Sequence, residues 1–288
     1  MVIFDESMHQ RMLLTLLVSM FSPSIRFVLM MHQLAFTRRS NSVHKAITRY
    51  IDTLMIRRSW RSISAGLQIT DLATELAGSA YKSKIKTVLA TPQNAIADDG
   101  TKAPFRLLFV GSITHTKGIH YLIEALSRVE PALRSKLRVT LVGNVDNPAY
   151  EAECIRLAES TGVTANIEWI GYLPFQELSE QYKQATVFLF PSISECMPMA
   201  LLEAMSAGCV PIAFDNTAMP YLIQHGENGL LATNLDAADL ARQIEAFYHL
   251  DHDRRTAMRE GARQTAARYS RTWDEVSEQY RQFLIAET

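Results

Sequence analysis

The chain has 288 residues, 48% of them apolar and 20% charged, with a net charge of −1. That length and composition suit one large or two modest globular domains with real cores and exclude a disordered or collagen-like chain. A charge balance this close to zero argues against a dedicated nucleic-acid binder, but it hides an asymmetry. Residues 1–100 hold 12 Lys and Arg against 7 Asp and Glu, or +5, and the rest of the chain is at −6. Cys154, Cys196 and Cys209 are odd in number and lack metal-ligand spacing, which points to a reducing, cytoplasmic setting.

The first 90 residues alternate short apolar runs with amphipathic ones. Strands are expected at 2–4, 25–31, 66–69 and 85–89, with helices at 7–21, 42–60 and 71–80 between them. The apolar run at 12–21 is too short to span a bilayer. Asp5 and Glu6 ahead of it do not suit a signal peptide, so a buried helix is expected there. The βα alternation implies a parallel sheet. It begins abruptly, two residues from the first methionine.

Residues 93–104 are polar, broken by Pro and Gly, and without periodicity, so they read as a linker. Beyond them the alternation resumes with strands at 106–111, 138–142, 166–170, 186–190, 210–214 and 229–232. Helices are expected at 119–129, 149–161, 175–184, 199–207, 217–225 and 236–250. Six βα units predict a doubly wound domain with helices on both faces. Helices at 252–268 and 272–286 close the chain. The proposed organisation is a first domain over 1–92, the linker, a second domain over 105–268, and a closing helix within 269–288. Trp273, Val276 and Tyr280 form an apolar stripe on that helix.

Three motifs fall at strand ends. The run 186–190 is apolar at consecutive positions, as in a strand buried on both faces. It leads into Glu195, then a Pro198-started helix containing Glu203, which ends at Gly208. Open α/β sheets bind ligands at such a junction, and a helix start offers free N–H groups to an anion. Two carboxylates around that start could accept hydroxyl groups beside a phosphate, although isolated glutamates also suit a solvated helix face. The sequence Val110-Gly111-Ser112-Ile113-Thr114-His115-Thr116-Lys117-Gly118 follows the strand at 106–111. It matches neither the Walker loop nor the dinucleotide fingerprint. Lys117 at a helix entrance could still face a diphosphate; a surface lysine beside a turn glycine is the plainer reading. Near Gly171, Tyr172 could give an aromatic edge to a nucleotide base, or could simply end a strand.

Taken in order, Gly111–Gly118, Leu141-Val142-Gly143, Ile170-Gly171-Tyr172-Leu173-Pro174, Phe190-Pro191-Ser192, Glu195 with Glu203 eight residues on, Ala207-Gly208 and Gly226-Glu227-Asn228-Gly229 resemble the retaining glycosyltransferases of the GT-B fold, glycosyltransferase family 4 or group 1 type. The resemblance covers about 105–285. It implies an α/β fold with two Rossmann-like doubly wound parallel sheets, the first incomplete because residues 1–92 match only the later part of the family's first domain. It further implies transfer of a sugar from a nucleotide-diphosphate sugar, with retention of configuration, to a glycan or lipid-linked acceptor. Lys117 would neutralise the donor diphosphate, with Ser112 beside it and the Met199 and Ala200 amides approaching the phosphate. Glu195 would lie by the transferred sugar, Glu203 would accept the ribose hydroxyls, and Tyr172 would face the base. His32, just after the strand at 25–31, matches a histidine the family often has near the donor sugar; a strand-end histidine satisfied by hydrogen bonds is the alternative. No metal or cofactor beyond the donor is expected.

Two departures stand out. The family's arginine after the first glycine is Ser112 here, a hydroxyl without charge, with His115 the neighbouring basic group. The family's Gly-Phe-Gly after the first glutamate is Cys196-Met197-Pro198, and Pro198 has no N–H to donate. These features and the short first domain keep a second hypothesis open, a donor-binding or scaffold subunit that needs a partner chain. Residues 38–61 hold seven cations and one Asp52, so peripheral contact with the inner face of a membrane stands beside a plain solvated face.

Overall fold

The computed structural model describes residues 2–5, 27–31, 65–68, 85–87, 96–98, 100, 102–195, 198–270, 274–275, 277–278 and 281–282. The helices expected at 7–21, 42–60 and 71–80, together with His32 and the cationic segment 38–61, lie outside them. The chain divides into two compact units, Met1–Pro92 with Arg271–Thr288, and Gln93–Ser270.

In the first unit the described strands are β1 (Val2–Asp5), β2 (Phe27–Met31), β3 (Ala65–Gln68) and β4 (Ile85–Thr87). They pair in parallel in the order β1-β2-β3-β4. This order runs in one direction and never reverses, so these strands contain no topological switch point.

The second unit is built on six parallel strands: β5 (Arg106–Val110), β6 (Arg138–Val142), β7 (Ile167–Gly171), β8 (Val187–Phe190), β9 (Val210–Phe214) and β10 (Leu230–Ala232). Their spatial order is β10-β9-β8-β5-β6-β7. Every residue of β8 and β9 is buried, which is why both read as continuous apolar runs. At the sheet edge β7 is half-exposed. From β5 the chain winds outward to β7, then returns to the middle as β8 and winds outward the other way, so the order reverses between β5 and β8.

The helices are α1 (Ile119–Arg128), α2 (Pro131–Arg134), α3 (Pro148–Ser160), α4 (Phe175–Gln184), α5 (Met199–Ser206), α6 (Met219–Leu222), α7 (Ala237–His249) and α8 (His252–Tyr269). Helix α1 buries Ile119, Leu122, Ile123 and Leu126, the three-and-four spacing of an amphipathic helix. It packs with α3 and α7, while α5 packs with α8, giving the two helical layers that right-handed crossovers require. Carboxylate or amide side chains cap three helices at the N-terminus: Asn147 on α3, Asp236 on α7 and Asp251 on α8. No described helix is long and apolar enough to cross a membrane.

The expected helix at 217–225 shrinks to the four residues of α6. Thr217, with φ 40°, turns left-handed before it, and Ile223 is extended after it. The buried Asn228 side chain then takes over the backbone bonding. Its Nδ2 donates to the Leu222 carbonyl at 2.9 Å and to Thr265 Oγ1 at 2.8 Å, and its Oδ1 accepts the Gln224 N–H at 2.7 Å.

The segment read as a linker is bonded to the second unit. The Ala103 N–H donates to the Gln184 carbonyl at 2.8 Å, and Lys102 Nζ to the Tyr182 carbonyl at 2.9 Å. Asp98 pairs with Arg259.

Past the strand ends, a backbone ladder continues through the βα turns. The Gly111 N–H donates to the Val142 carbonyl at 3.0 Å, the Ile113 N–H to that of Asn144 at 2.8 Å, and the Gly143 N–H to that of Gly171 at 2.9 Å. A Cβ at Gly143 would sit 2.0 Å from the Gly111 carbonyl oxygen. Gly143→Ala is expected to push these turns apart and destabilise the second unit by about 1–3 kcal/mol, read as a lower urea midpoint; an unchanged midpoint would mean the two turns are not in contact.

Candidate active site

The reversal of strand order sets two turns side by side, residues 111–118 after β5 and 191–198 after β8. Gly118 turns left-handed at φ 68°, and a Cβ there would lie 2.1 Å from the Pro191 carbonyl oxygen. The Thr116 carbonyl accepts the Ile193 N–H at 2.8 Å, with Ser192 Oγ 3.1 Å away. This seam brings Lys117 Nζ within 2.5 Å of Glu195 Oε1. Ser192 Oγ donates to the same oxygen at 2.6 Å, and the Phe190 ring centroid is 5.7 Å from the ammonium. The two side chains are only 26% and 12% exposed. Within this partly dry crevice each charge needs the other, since an unpaired one would carry its full desolvation cost.

Helix α5 starts beside this pair in sequence, and no side chain caps it. The Pro198 carbonyl accepts the N–H groups of Leu201 and Leu202, at 3.1 and 3.2 Å. The amides of Met199 and Ala200 have no acceptor among the described residues, as expected for the first turn of a helix. They remain free to meet an anion, with the helix dipole behind them. Cys196 and Met197 lie outside the described residues.

Glu203 lies one turn into α5. Tyr182 OH donates to Glu203 Oε2 at 3.0 Å, and Tyr182 itself is fully buried. Burial pushes the Glu203 carboxyl above the ordinary carboxylate range, and the Tyr182 hydrogen bond only partly opposes that. A half-buried carboxylate held by one hydroxyl is poised to accept further donors, a common mark of a binding site. Because its folded-state pKa is raised, folding is favoured when Glu203 is protonated, and that advantage is lost as pH rises through the raised pKa. Glu203→Gln is therefore expected to melt higher than the natural chain at neutral pH, with the gap closing below the carboxylate range. A melting difference independent of pH would show that the carboxylate carries no such cost.

The other anticipated residues are more dispersed. Ser112 follows the Gly111 turn and is half-buried. His115 leans toward α3, its ring 4.0 Å from that of Tyr150 and its Nε2 3.8 Å from Glu153 Oε2. Its ring also meets that of His120 on α1 edge-on at 6.1 Å, so its contacts are with α3 and α1. Tyr172, 69% exposed, stands at the end of the edge strand β7.

Sequence reasoning gave no role to Thr116, Tyr182, Asn216, Thr217 or Asn234. The Glu195 N–H donates to Thr217 Oγ1 at 3.0 Å, and Asn216 Nδ2 donates to the Ser192 carbonyl at 2.9 Å. Asn216 and Thr217 follow the carboxyl end of β9, next to β8, and that position is the one signal that could have marked them. Among the described residues, no group of three or more His, Cys, Asp or Glu is placed to hold a metal ion.

Residues 95–265 match the family described as Glycosyl transferases group 1. The chain is 32% identical over 169 residues to a D-inositol 3-phosphate glycosyltransferase of Geodermatophilus obscurus, covering 57% of this chain and 37% of that protein. It is 30% identical over 149 residues to the amylovoran biosynthesis glycosyltransferase AmsK of Erwinia amylovora, covering 50% and 36%. The chain thus spans little more than a third of the length of these relatives. Among solved structures, Anabaena Alr3699/HepE in complex with UDP and glucose superposes with a TM-score of 0.73 at 15% identity, over 99% of this chain and 78% of that one. Sucrose-phosphate synthase from Thermosynechococcus elongatus does so with a TM-score of 0.70 at 19% identity, over 96% and 72%. The fold is α/β of the GT-B type, and with the family pattern covering the whole six-stranded sheet, the chain belongs to the group 1 glycosyl transferases.

Proposed function

We propose that the chain binds a nucleotide-diphosphate sugar at the β5–β8 switch point and transfers the sugar, a hexose, to a glycan or lipid-linked acceptor with retention of configuration. The observation that carries this reading is the Lys117–Glu195 pair, 2.5 Å apart, beside a helix start whose first amides have no acceptor among the described residues. The names of the relatives and the UDP and glucose bound by Anabaena HepE support it.

The chemistry follows from charge. Breaking the bond between the sugar and the diphosphate leaves negative charge on the leaving oxygen. Lys117 exchanges its carboxylate partner for the diphosphate and stabilises that charge, together with the Met199 and Ala200 amides and the α5 dipole. Glu195, released from the lysine, accepts hydroxyls of the transferred sugar, and Glu203 accepts those of the ribose. Tyr172 offers its ring to the base. Ser112 can hydrogen-bond a phosphate but brings no charge, which leaves Lys117 as the principal cation. The acceptor hydroxyl attacks on the face from which the diphosphate departs, within an ion-pair-like transition state, and gives its proton to the departing phosphate oxygen, so retention follows without a covalent intermediate. We take the reaction to need no bound metal, since lysine and amides supply the counter-charge. His32 and the cationic segment 38–61 enter as the candidate donor-sugar histidine and the candidate contact with an anionic membrane on the cytoplasmic side.

Calorimetric titration with a panel of UDP-, GDP-, ADP- and dTDP-sugars tests the reading; absence of binding at millimolar donor would sink it. Lys117→Ala is expected to weaken nucleoside-diphosphate binding by about ten- to a hundredfold, the worth of hydrogen bonds to a charged group. Glu195→Gln should abolish turnover while leaving most of that affinity, and EDTA should leave turnover unchanged. Turnover that survives Glu195→Gln would remove Glu195 from the chemistry. Proton NMR of the product decides retention.

A further inference from the structure

We propose that Asn216, Thr217 and Asn234 form a positioning clamp that holds the Glu195 loop in register with Lys117. The inference rests on reading Glu195 as part of the transfer site. The clamp is a continuous chain of side-chain bonds. Asn216 Nδ2 donates to Asn234 Oδ1 at 2.8 Å and to the Ser192 carbonyl at 2.9 Å. Thr217 Oγ1 donates to Asn216 Oδ1 at 3.0 Å and accepts the Glu195 N–H at 3.0 Å. The four-residue stretch 192–195 is therefore gripped at both ends from the β9 side. On the β5 side its middle is held by the Thr116 carbonyl, through the Ile193 N–H at 2.8 Å. Its two side chains that meet at Oε1, Ser192 and Glu195, sit at the gripped ends.

The backbone at Thr217 makes the case stronger than the bond list alone. Its φ of 40° lies in the left-handed region, where a β-branched residue is a genuine outlier and strain is stored. Glycine would take that conformation at no steric cost but has no hydroxyl. A threonine there accepts the strain and supplies the single oxygen that receives the Glu195 N–H. With that N–H and the Ser192 carbonyl fixed, the carboxylate swings from an anchored Cα and meets the ammonium without searching.

The test compares three variants of the full chain. Thr217→Val keeps the shape and loses the hydroxyl, Thr217→Gly relieves the strain and also loses it, and Thr217→Ser retains it. Hydrogen exchange followed by mass spectrometry on the peptide spanning 191–197 needs no substrate. Exchange at the Glu195 amide is expected to quicken by up to about tenfold in the Val and Gly variants, the worth of one hydrogen bond, and to stay natural in Ser. Release of UDP from UDP-glucose gives the second readout. The Val and Gly variants are expected to lose about a hundredfold in kcat, the cost of a misplaced reacting group, with KM for UDP-glucose nearly unchanged and Ser restoring the rate. Unchanged exchange in both hydroxyl-free variants overturns the clamp, and so does a Thr217→Gly enzyme with quickened exchange and full kcat. Should the natural chain release no nucleoside diphosphate from UDP-glucose or from any other donor of the panel, the transfer reading fails on that arm, and the exchange arm alone decides the clamp.

Discussion

One backbone seam sets the geometry of the site. The turn after β5 and the turn after β8 are in backbone contact, Gly118 against the Pro191 carbonyl and the Thr116 carbonyl against the Ile193 N–H. The contact exists because the strand order reverses between these two strands, so that both chain ends emerge side by side with no crossover between them. A side chain at Gly118 would wedge the turns apart, and Lys117 and Glu195 could no longer meet. The sheet supplies the rigid base: β8 and β9 are buried along their whole length and β5 through its middle, so the positions from which both turns spring cannot drift.

The electrostatics of the site divide into two regimes. Lys117 and Glu195 neutralise each other, and Ser192 adds a second bond to the same oxygen. On the proposed reading, a pair of that kind is prepared for exchange, because an arriving diphosphate would replace one anion with another while the lysine stays charged. Among the described residues, Glu203 has no cationic partner. Burial raises its pKa, and the Tyr182 hydroxyl only partly opposes that, so its charged form lowers stability unless a ligand brings hydroxyl donors. Stability given up at one carboxylate and strain kept at Thr217 are both what a site adapted to a ligand, rather than to folding, would carry.

The lower end of the sheet behaves differently. Lys102 Nζ and Cys209 Sγ share the Tyr182 carbonyl, at 2.9 and 3.1 Å, and Asp98 pairs with Arg259. Burial lifts the Cys209 thiol, with Lys102 opposing it, so the cysteine is inert packing. These contacts tie Asp98 and Lys102 to the rest of the second unit, and the same tyrosine serves both ends, its carbonyl below and its hydroxyl at Glu203.

Much of this was legible in the sequence by itself. Strands buried on both faces show as unbroken apolar runs, helices as three-and-four spacing, and turns as Gly and Pro, so β5 to β10 and most of the helices could be placed from residue type alone. Lys117 and Glu195 stand out as candidates because they follow strand ends, where α/β sheets bind ligands, and the family resemblance adds the Met199 and Ala200 amides as candidates. The tertiary structure alone decided which ends meet. Lys117 and Glu195 are 78 residues apart, and their contact depends on strand order, which no local pattern encodes. It likewise decided that Glu203 faces Tyr182, that Asn228 cuts the helix after Leu222 short, and that Thr217 turns left-handed toward the Glu195 amide. Those outcomes rest on bonds between distant segments, formed only once the sheet has set its strands side by side.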